Sequence, residues 1–200
     1  MSLQAVMRKI SLCMYSINKN HGEYFEVCID DKDRFKWYFL IKGQENTDYE
    51  GGYYLGELLF TNQYPAILPK PVMLTPTGKF MINRNLCIST SKYELSQNRI
   101  FELLCDICGD MQDKNNIYYD PTLLRTSITE RKYLAIKSVV YNKTHYPEII
   151  NKFQRFLDHN GNSPEHIKNI HMFWLIKFSL DNNLDTDMIN YIFKLFYYMI

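Results

Sequence analysis

The sequence lacks any long uninterrupted run of apolar residues. Its two longest apolar stretches, 173–178 and 191–200, are interrupted by Lys177 and Lys194, whereas a helix that spans a bilayer needs about 20 consecutive apolar residues. The segment 1–18 also lacks the apolar stretch that a signal peptide carries. We therefore expect a soluble protein that has no membrane anchor and no membrane partner.

The chain also lacks an excess of charge of either sign. It contains 23 basic and 22 acidic residues, which gives a formal net charge of +1 at pH 7. Because proteins that bind nucleic acid through their surface potential carry a basic excess, we expect no nucleic-acid partner. A hydrophobic fraction of 46% and an aromatic fraction of 15% over 200 residues predict a folded domain with one ordinary core.

A regular, even-numbered set of cysteines is missing as well. The odd, scattered set argues against a secreted disulfide framework and indicates reduced thiols in the cytoplasm or nucleus. The motif 105–108 (CDIC) has the spacing of a redox or zinc site, but its helical period and the lack of a second ligand pair predict a packed helix. The histidines share no common spacing, so we expect no metal. The five cysteines are Cys13, Cys28, Cys87, Cys105 and Cys108.

Periodicity along the chain predicts an α+β fold, because one helix precedes an antiparallel meander and further helices follow it. Four prolines between residues 64 and 76 leave room for only a short edge strand there. The stretch 78–97 has no clear period and contains Cys87, and a long irregular stretch inside a compact domain is usually functional. The predicted elements are helices over 3–18, 100–107, 134–142, 147–156, 165–182 and 186–199, and strands over 24–29, 35–41, 53–60 and 72–74.

Two motifs in the middle of the chain stand in register over more than twenty residues. Residues 49–54 read YEGGYY, and a proline-rich segment follows, with YP at 64–65 and PKP at 69–71. These motifs resemble the Y-E-G-G turn and the Y-P-x-x-P-P segment of ubiquitin-conjugating enzymes. Gly51 and Gly52 suit the entry to a hairpin because glycine adopts positive φ without steric cost.

The more specific resemblance is to the J-type branch, whose members are usually tethered to the endoplasmic reticulum. Residues 74–80 (LTPTGKF) and 85–89 (NLCIS) resemble that branch's T-P-N-G-R-F and L-C-L-S motifs. Residues 131–142 resemble its R-x-L-A-x-S-x-x-F-N helix. The resemblance implies a ubiquitin-conjugating core domain over 1–157, with a four-stranded meander. We expect a helical extension over 158–200 that packs on this core; the alternative is that its apolar face is a surface for a partner.

The resemblance implies that the chain accepts ubiquitin as a thioester on Cys87 from an activating enzyme and transfers it to substrate lysines. A cysteine suits this task because its thiolate is a strong nucleophile. Ubiquitin and the activating enzyme are the implied partners, and a RING-type ligase is a further candidate. No cofactor is expected, since the activating enzyme would consume the ATP. The alternative is a degenerate module that binds ubiquitin or a ligase without catalysis.

The residues around Cys87 depart from the family pattern. The family's catalytic Asn falls on Thr77 in the J-type register, so the usual donor to the oxyanion is missing. Asn83 and Asn85 carry an amide close to Cys87 and are the other candidates for this donor, although both also suit a turn. Asn83 is the preferred candidate because Asn85 lies only two residues from Cys87. Asp120, before a proline, resembles the acidic gate that orients the incoming lysine, and it equally fits a helix or turn boundary.

Two further departures concern ligase docking. Residues 92–98 carry neither the Trp nor the Pro that the family has after the cysteine. Ala66 stands where a ligase-contacting Phe usually lies. The content of Asn, Lys, Ile and Tyr is high, as in AT-rich genomes, and it suggests a viral or parasite source.

Overall fold

A computed structural model of the chain describes residues 3–21, 24–88, 99–112 and 126–153. Four strands form one antiparallel sheet in the order β1-β2-β3-β4. The arrangement confirms the predicted α+β fold, with an N-terminal helix, a four-stranded meander and helices after it. The elements are α1 (Leu3–His21), β1 (Phe25–Ile29), β2 (Lys36–Lys42), β3 (Tyr53–Leu59), β4 (Lys70–Met73), α2 (Arg99–Gln112), α3 (Ile128–His145), α4 (Pro147–Ile150) and a 3₁₀ turn (Asn151–Phe153).

Helix α1 docks on the edge of the sheet through an apolar stripe and one polar side chain. Val6, Ile10 and Ile17 recur at helical spacing and are buried in the core. The Asn18 amide donates to the Val27 carbonyl at 2.8 Å and accepts from the Val27 N–H at 2.9 Å. Asn18 therefore takes the place of a neighbouring strand at this point of β1, and no sequence pattern had indicated it.

The inner face of the sheet forms the main core with α1 and α2. Alternate residues of β2 point into this core, and the Trp37 ring packs on Phe60 with 4.8 Å between ring centroids. Gly56 on β3 faces the Phe39 ring so closely that an added Cβ would lie 2.1 Å from the ring carbon Cζ. Only glycine fits there. Helix α2 contributes Ile100, Leu103, Leu104 and Ile107 to the same cluster.

The outer face of the sheet is buried too. Leu40 and Leu55 lie on this face and are 0% exposed. Helix α3 contacts β3, and the 3₁₀ turn contacts β1, where Lys152 donates to the Ile29 carbonyl at 3.4 Å. The sheet is therefore covered on both faces, which explains why β2 is apolar along nearly its whole length.

Helix α3 also completes the hydrogen bonding of β3. Strand β4 pairs with β3 only from Gly56 onward, so Tyr53 lies beyond the end of the ladder. The Tyr53 N–H donates to Ser138 Oγ at 2.8 Å, and Asn142 Nδ2 donates to the Tyr53 carbonyl at 2.7 Å. The hydroxyl of Thr75 donates to Asn142 Oδ1 and accepts from the Leu55 N–H at 2.9 Å. Ser138 and Asn142, one helical turn apart on α3, thus supply the hydrogen bonds that a neighbouring strand would give to Tyr53.

The ends of the elements follow from local chemistry. Ser127 caps α3, since its side chain accepts from the Glu130 N–H at 3.1 Å, and an acidic residue at that position also suits the helix dipole. Gly51 has φ +77°, as predicted for the turn before β3. Gly52 has no such φ; instead an added Cβ would lie 2.4 Å from the Tyr54 hydroxyl.

Three predictions fall outside the described residues and stay predictions. They are the helical extension over 158–200, the effect on ligase choice of the missing Trp and Pro at 92–98, and the acidic gate at Asp120. Among the helices that the structure describes, none combines the length and the apolarity needed to cross a membrane.

Candidate functional site

Cys87 ends a segment that folds back along β4. Ile82 and Asn85 form single bridges with Met73 and Val72 of that strand. The Asn83 N–H donates to the Met73 carbonyl and the Leu86 N–H to the Pro71 carbonyl, both at 2.8 Å. The backbone is therefore fixed up to the residue before Cys87, although the segment shows no regular period in the sequence.

The side chain of Cys87 is exposed while its neighbours are anchored. Leu86 is buried, and the partly buried Ile88 packs against the core. Because the side chains of residues 86 and 88 on either side are held in or against the core, the Cys87 side chain between them is the one that reaches the surface. An exposed thiol on a fixed backbone is accessible to a macromolecular acyl donor.

The other four thiols are less suited to nucleophilic chemistry. All five cysteines lie in the described ranges and are free. Burial raises the pKa of the Cys13 thiol to about 11 and that of Cys28 and of Cys108 to about 12. Cys105 is exposed, but partial burial and the nearby Glu102 carboxylate raise its pKa. Because the thiolate is the reactive form, these shifts lower the reactivity of all four.

Thr77 lies in the tight turn between β4 and the Cys87 segment. It is 0% exposed, and its hydroxyl accepts from the backbone N–H groups of Lys79 at 3.1 Å and Phe80 at 2.9 Å. The Phe80 side chain is buried beneath the turn. The Thr77 side chain thus shapes this turn from inside the protein.

Asn83 and Asn85 lie on the segment that leads to Cys87, and both side chains are exposed. Asn83 has φ +58°, a left-handed conformation that Asn tolerates better than most residues. The structure therefore brings both amides onto the same exposed segment as the thiol. Asp120 is outside the described residues.

Sequence reasoning assigned no role to three residues that meet beside this turn. Arg131 of α3 forms a salt bridge of 2.7 Å with Asp48, and the hydroxyl of Thr126 donates to the Gly78 carbonyl. Asp48 is separated from Arg131 by more than eighty residues, so no local pattern reports the contact. A charged residue beside the apolar positions of α3 was the available signal, since a buried charge needs a partner.

No group of three or more His, Cys, Asp or Glu side chains that could hold a metal ion occurs among the described residues. The motif 105–108 lies on α2 with Cys108 buried in the core and Cys105 at the surface. Its position on a packed helix confirms the helical prediction for this motif.

The curated proteins that this chain is similar to in sequence include ubiquitin-conjugating enzymes. No family model matches the chain. The chain is similar to mouse ubiquitin-conjugating enzyme E2 J2, with 30% identity over 147 residues, which is 66% of this chain and 55% of the mouse protein. It is 32% identical over 128 residues to the E2 J2-like ubiquitin-conjugating enzyme of Dictyostelium discoideum, which is 64% of this chain and 75% of that protein. The match thus spans about half the length of the mouse relative.

A solved structure shows the same fold. A chain from Plasmodium yoelii, described as a ubiquitin conjugating enzyme, aligns with a TM-score of 0.50 and 19% identity. The alignment covers 80% of this chain and 97% of that chain. The likeness extends over the helix, the four-stranded meander and the helices after it.

Proposed function

This chain belongs to the ubiquitin-conjugating enzyme family, and on that premise we propose that it carries ubiquitin as a thioester on Cys87 and transfers it to substrate lysines. The observation that supports this most is the exposure of the Cys87 thiol on a backbone that β4 holds in place. The four other thiols are disfavoured as acceptors by burial or by a raised pKa.

The proposed reaction has two acyl transfers. The Cys87 thiolate attacks the carbonyl carbon of the thioester that joins ubiquitin to the activating enzyme; a new S–C bond forms, and the activating enzyme's thiolate leaves. A lysine amine then attacks the new thioester, a C–N bond forms, and Cys87 leaves as a thiolate that regains a proton. The activating enzyme consumes ATP beforehand, so this chain needs no cofactor.

Both steps pass through a tetrahedral intermediate whose oxyanion needs a donor. Thr77 is a poor candidate because its side chain is fully buried and engaged within its own turn. Asn83 and Asn85 are exposed on the Cys87 segment, and we favour an amide from this pair. The carboxylate of Asp120 is proposed to orient the incoming lysine.

The partners follow from this chemistry. Ubiquitin and the activating enzyme must both reach Cys87, and a RING-type ligase is proposed to dock at the loop that contains Ala66. This loop is exposed, and it presents Ile67 as an apolar contact. The loop is fixed to α2, since Arg99 donates to the Pro65 carbonyl at 2.7 Å. Because the reaction needs a reduced thiol, we place it in the cytoplasm or nucleus.

A pulse-chase experiment tests the proposal. The chain is charged with activating enzyme, ATP and ubiquitin, charging is stopped by chelating the magnesium, and free lysine is added. We expect a reducing-agent-sensitive adduct that disappears as a ubiquitin–lysine conjugate accumulates. Cys87→Ala should form no such adduct, and Cys105→Ala, a matched exposed cysteine, should behave like the parent chain.

The second candidate function is a module that binds ubiquitin or a ligase without catalysis. It is favoured by the burial of Thr77 at the position where the family has its catalytic Asn. This candidate predicts that ubiquitin binds the chain reversibly while no adduct forms in the charging reaction. That outcome would refute the enzymatic proposal.

A further inference from the structure

The turn that leads to Cys87 packs directly on the start of α3. Gly78 has φ +74°, and an added Cβ would lie 2.8 Å from Thr126 Oγ1, 3.0 Å from Arg131 Cγ and 3.1 Å from Leu134 Cδ1. The Thr126 hydroxyl donates a hydrogen bond to the Gly78 carbonyl. The backbone of Gly78 therefore contacts these side chains directly, and position 78 has no room for a side chain of its own.

Arg131 holds Thr126 in this position. Its Nη1 donates to the Thr126 carbonyl at 2.5 Å, while its Nε and Nη2 donate to one carboxylate oxygen of Asp48 at 3.1 and 2.7 Å. Asp48 is 8% exposed, so its buried carboxylate needs the Arg131 guanidinium to balance its charge. The guanidinium thereby links the loop before β3 to the residue that contacts the turn.

The constraint on Gly78 continues along the chain toward Cys87. The next residues are held by hydrogen bonds from the Phe80 N–H to Thr77 and from the Asn83 N–H to Met73. The segment between Gly78 and Cys87 therefore has little freedom to absorb a displacement of the turn. A shift of Gly78 would strain these hydrogen bonds and, through them, displace the exposed segment around the thiol.

We propose that Thr126, held by Arg131 at its backbone carbonyl, is a positioning residue whose hydroxyl fixes the Gly78 turn for acyl transfer at Cys87. The inference rests on the proposed function. In charging, the attacked thioester is on the activating enzyme, so this chain must mainly present an accessible Cys87 sulfur. In discharge, the thioester is on Cys87, so this chain must itself hold the thioester carbonyl in one geometry for an incoming amine. A misplacement of about 1 Å can lower a rate by about a hundredfold, so discharge is the step that depends on Thr126.

The test compares two substitutions of Thr126. Thr126→Val keeps the shape of the side chain but removes the hydroxyl, and Thr126→Ser keeps the hydroxyl. We expect Thr126→Val to lower the maximal rate of single-turnover discharge to lysine by about ten- to a hundredfold, with charging and the half-saturating lysine concentration changed by less than about threefold. Thr126→Ser should restore discharge to within about threefold of the parent.

Two controls separate this role from a structural one. The urea midpoint should show that both variants are folded, and hydrogen exchange at the Lys79 and Phe80 amides should rise in Thr126→Val but not in Thr126→Ser. Parental discharge in Thr126→Val, equal losses in both variants, or an equal loss of charging and discharge would overturn the proposal. If the parent chain itself does not charge, the proposed function fails and the role of Thr126 falls with it.

Discussion

Asn142 should be one of the most sensitive polar positions in the fold. It is 1% exposed, it donates to the Tyr53 carbonyl at 2.7 Å, and it accepts from the Thr75 hydroxyl. Asn142→Leu preserves the approximate size of the side chain and deletes both hydrogen bonds. The perturbation is therefore confined to the polar bridge between α3, β3 and the segment after β4.

The expected loss of stability follows from the number of buried hydrogen bonds that the substitution removes. Removing one partner of a buried hydrogen bond costs about 1–3 kcal/mol, and here two bonds are lost. Leucine regains part of this through its apolar surface, which contributes about 25 cal/mol per Å² buried. We therefore expect Asn142→Leu to lower the free energy of unfolding by about 2–4 kcal/mol. Lys143→Leu, which places a leucine at an exposed neighbour on α3, should change it by less than about 1 kcal/mol.

Asn142→Asp extends the same argument. At neutral pH its carboxylate would lie against the Tyr53 carbonyl and repel it, whereas the protonated acid can donate to that carbonyl. The variant should therefore be destabilised more at pH 7 than at pH 4.5, relative to the parent at each pH. Urea unfolding followed by tryptophan fluorescence measures all three variants. Equal stability of Asn142→Leu and Lys143→Leu would refute the reasoning.

Two further predictions concern the site. In the folded chain at pH 8, iodoacetamide should modify Cys87 at least about tenfold faster than Cys108, because burial raises the pKa of the Cys108 thiol to about 12. Peptide mass spectrometry measures the two rates, and faster labelling of Cys108 would contradict the prediction. Asn83→Ala or Asn85→Ala should slow discharge to lysine by about a hundredfold or more after separate charging, while Thr77→Ala should affect discharge less. Parental discharge in both Asn variants would exclude an amide donor from this segment.

The elements of the core could be predicted because their signals are local. The continuous apolar run of β2 and the helical spacing of Ile100, Leu103 and Leu104 each indicate burial within a few residues. The family and its J-type branch could also be recognised from the sequence, because the motifs at 49–54 and 85–89 are each contiguous. The relatives found in mouse and Dictyostelium confirm the resemblance.

The contacts that support the site were not predictable in this way. Thr75 and Asn142 are 67 residues apart, and Tyr53 and Ser138 are 85 apart, so only the folded chain brings them together. Asn18 of α1 is a further example, since it is a polar residue near an apolar stripe whose partner, Val27, lies on β1. Such residues are visible in the sequence, but their partners are fixed by tertiary packing.

The most direct test of the central claim is to locate the acyl group after charging. The chain is incubated with activating enzyme, ATP and ubiquitin, stopped in acid without reducing agent, and measured by intact mass. We predict that the parent and Cys105→Ser gain the mass of one ubiquitin less one water, and that a thiol reductant removes this gain. In Cys87→Ser no reductant-sensitive gain should appear. A reductant-sensitive gain that persists in Cys87→Ser would contradict the account.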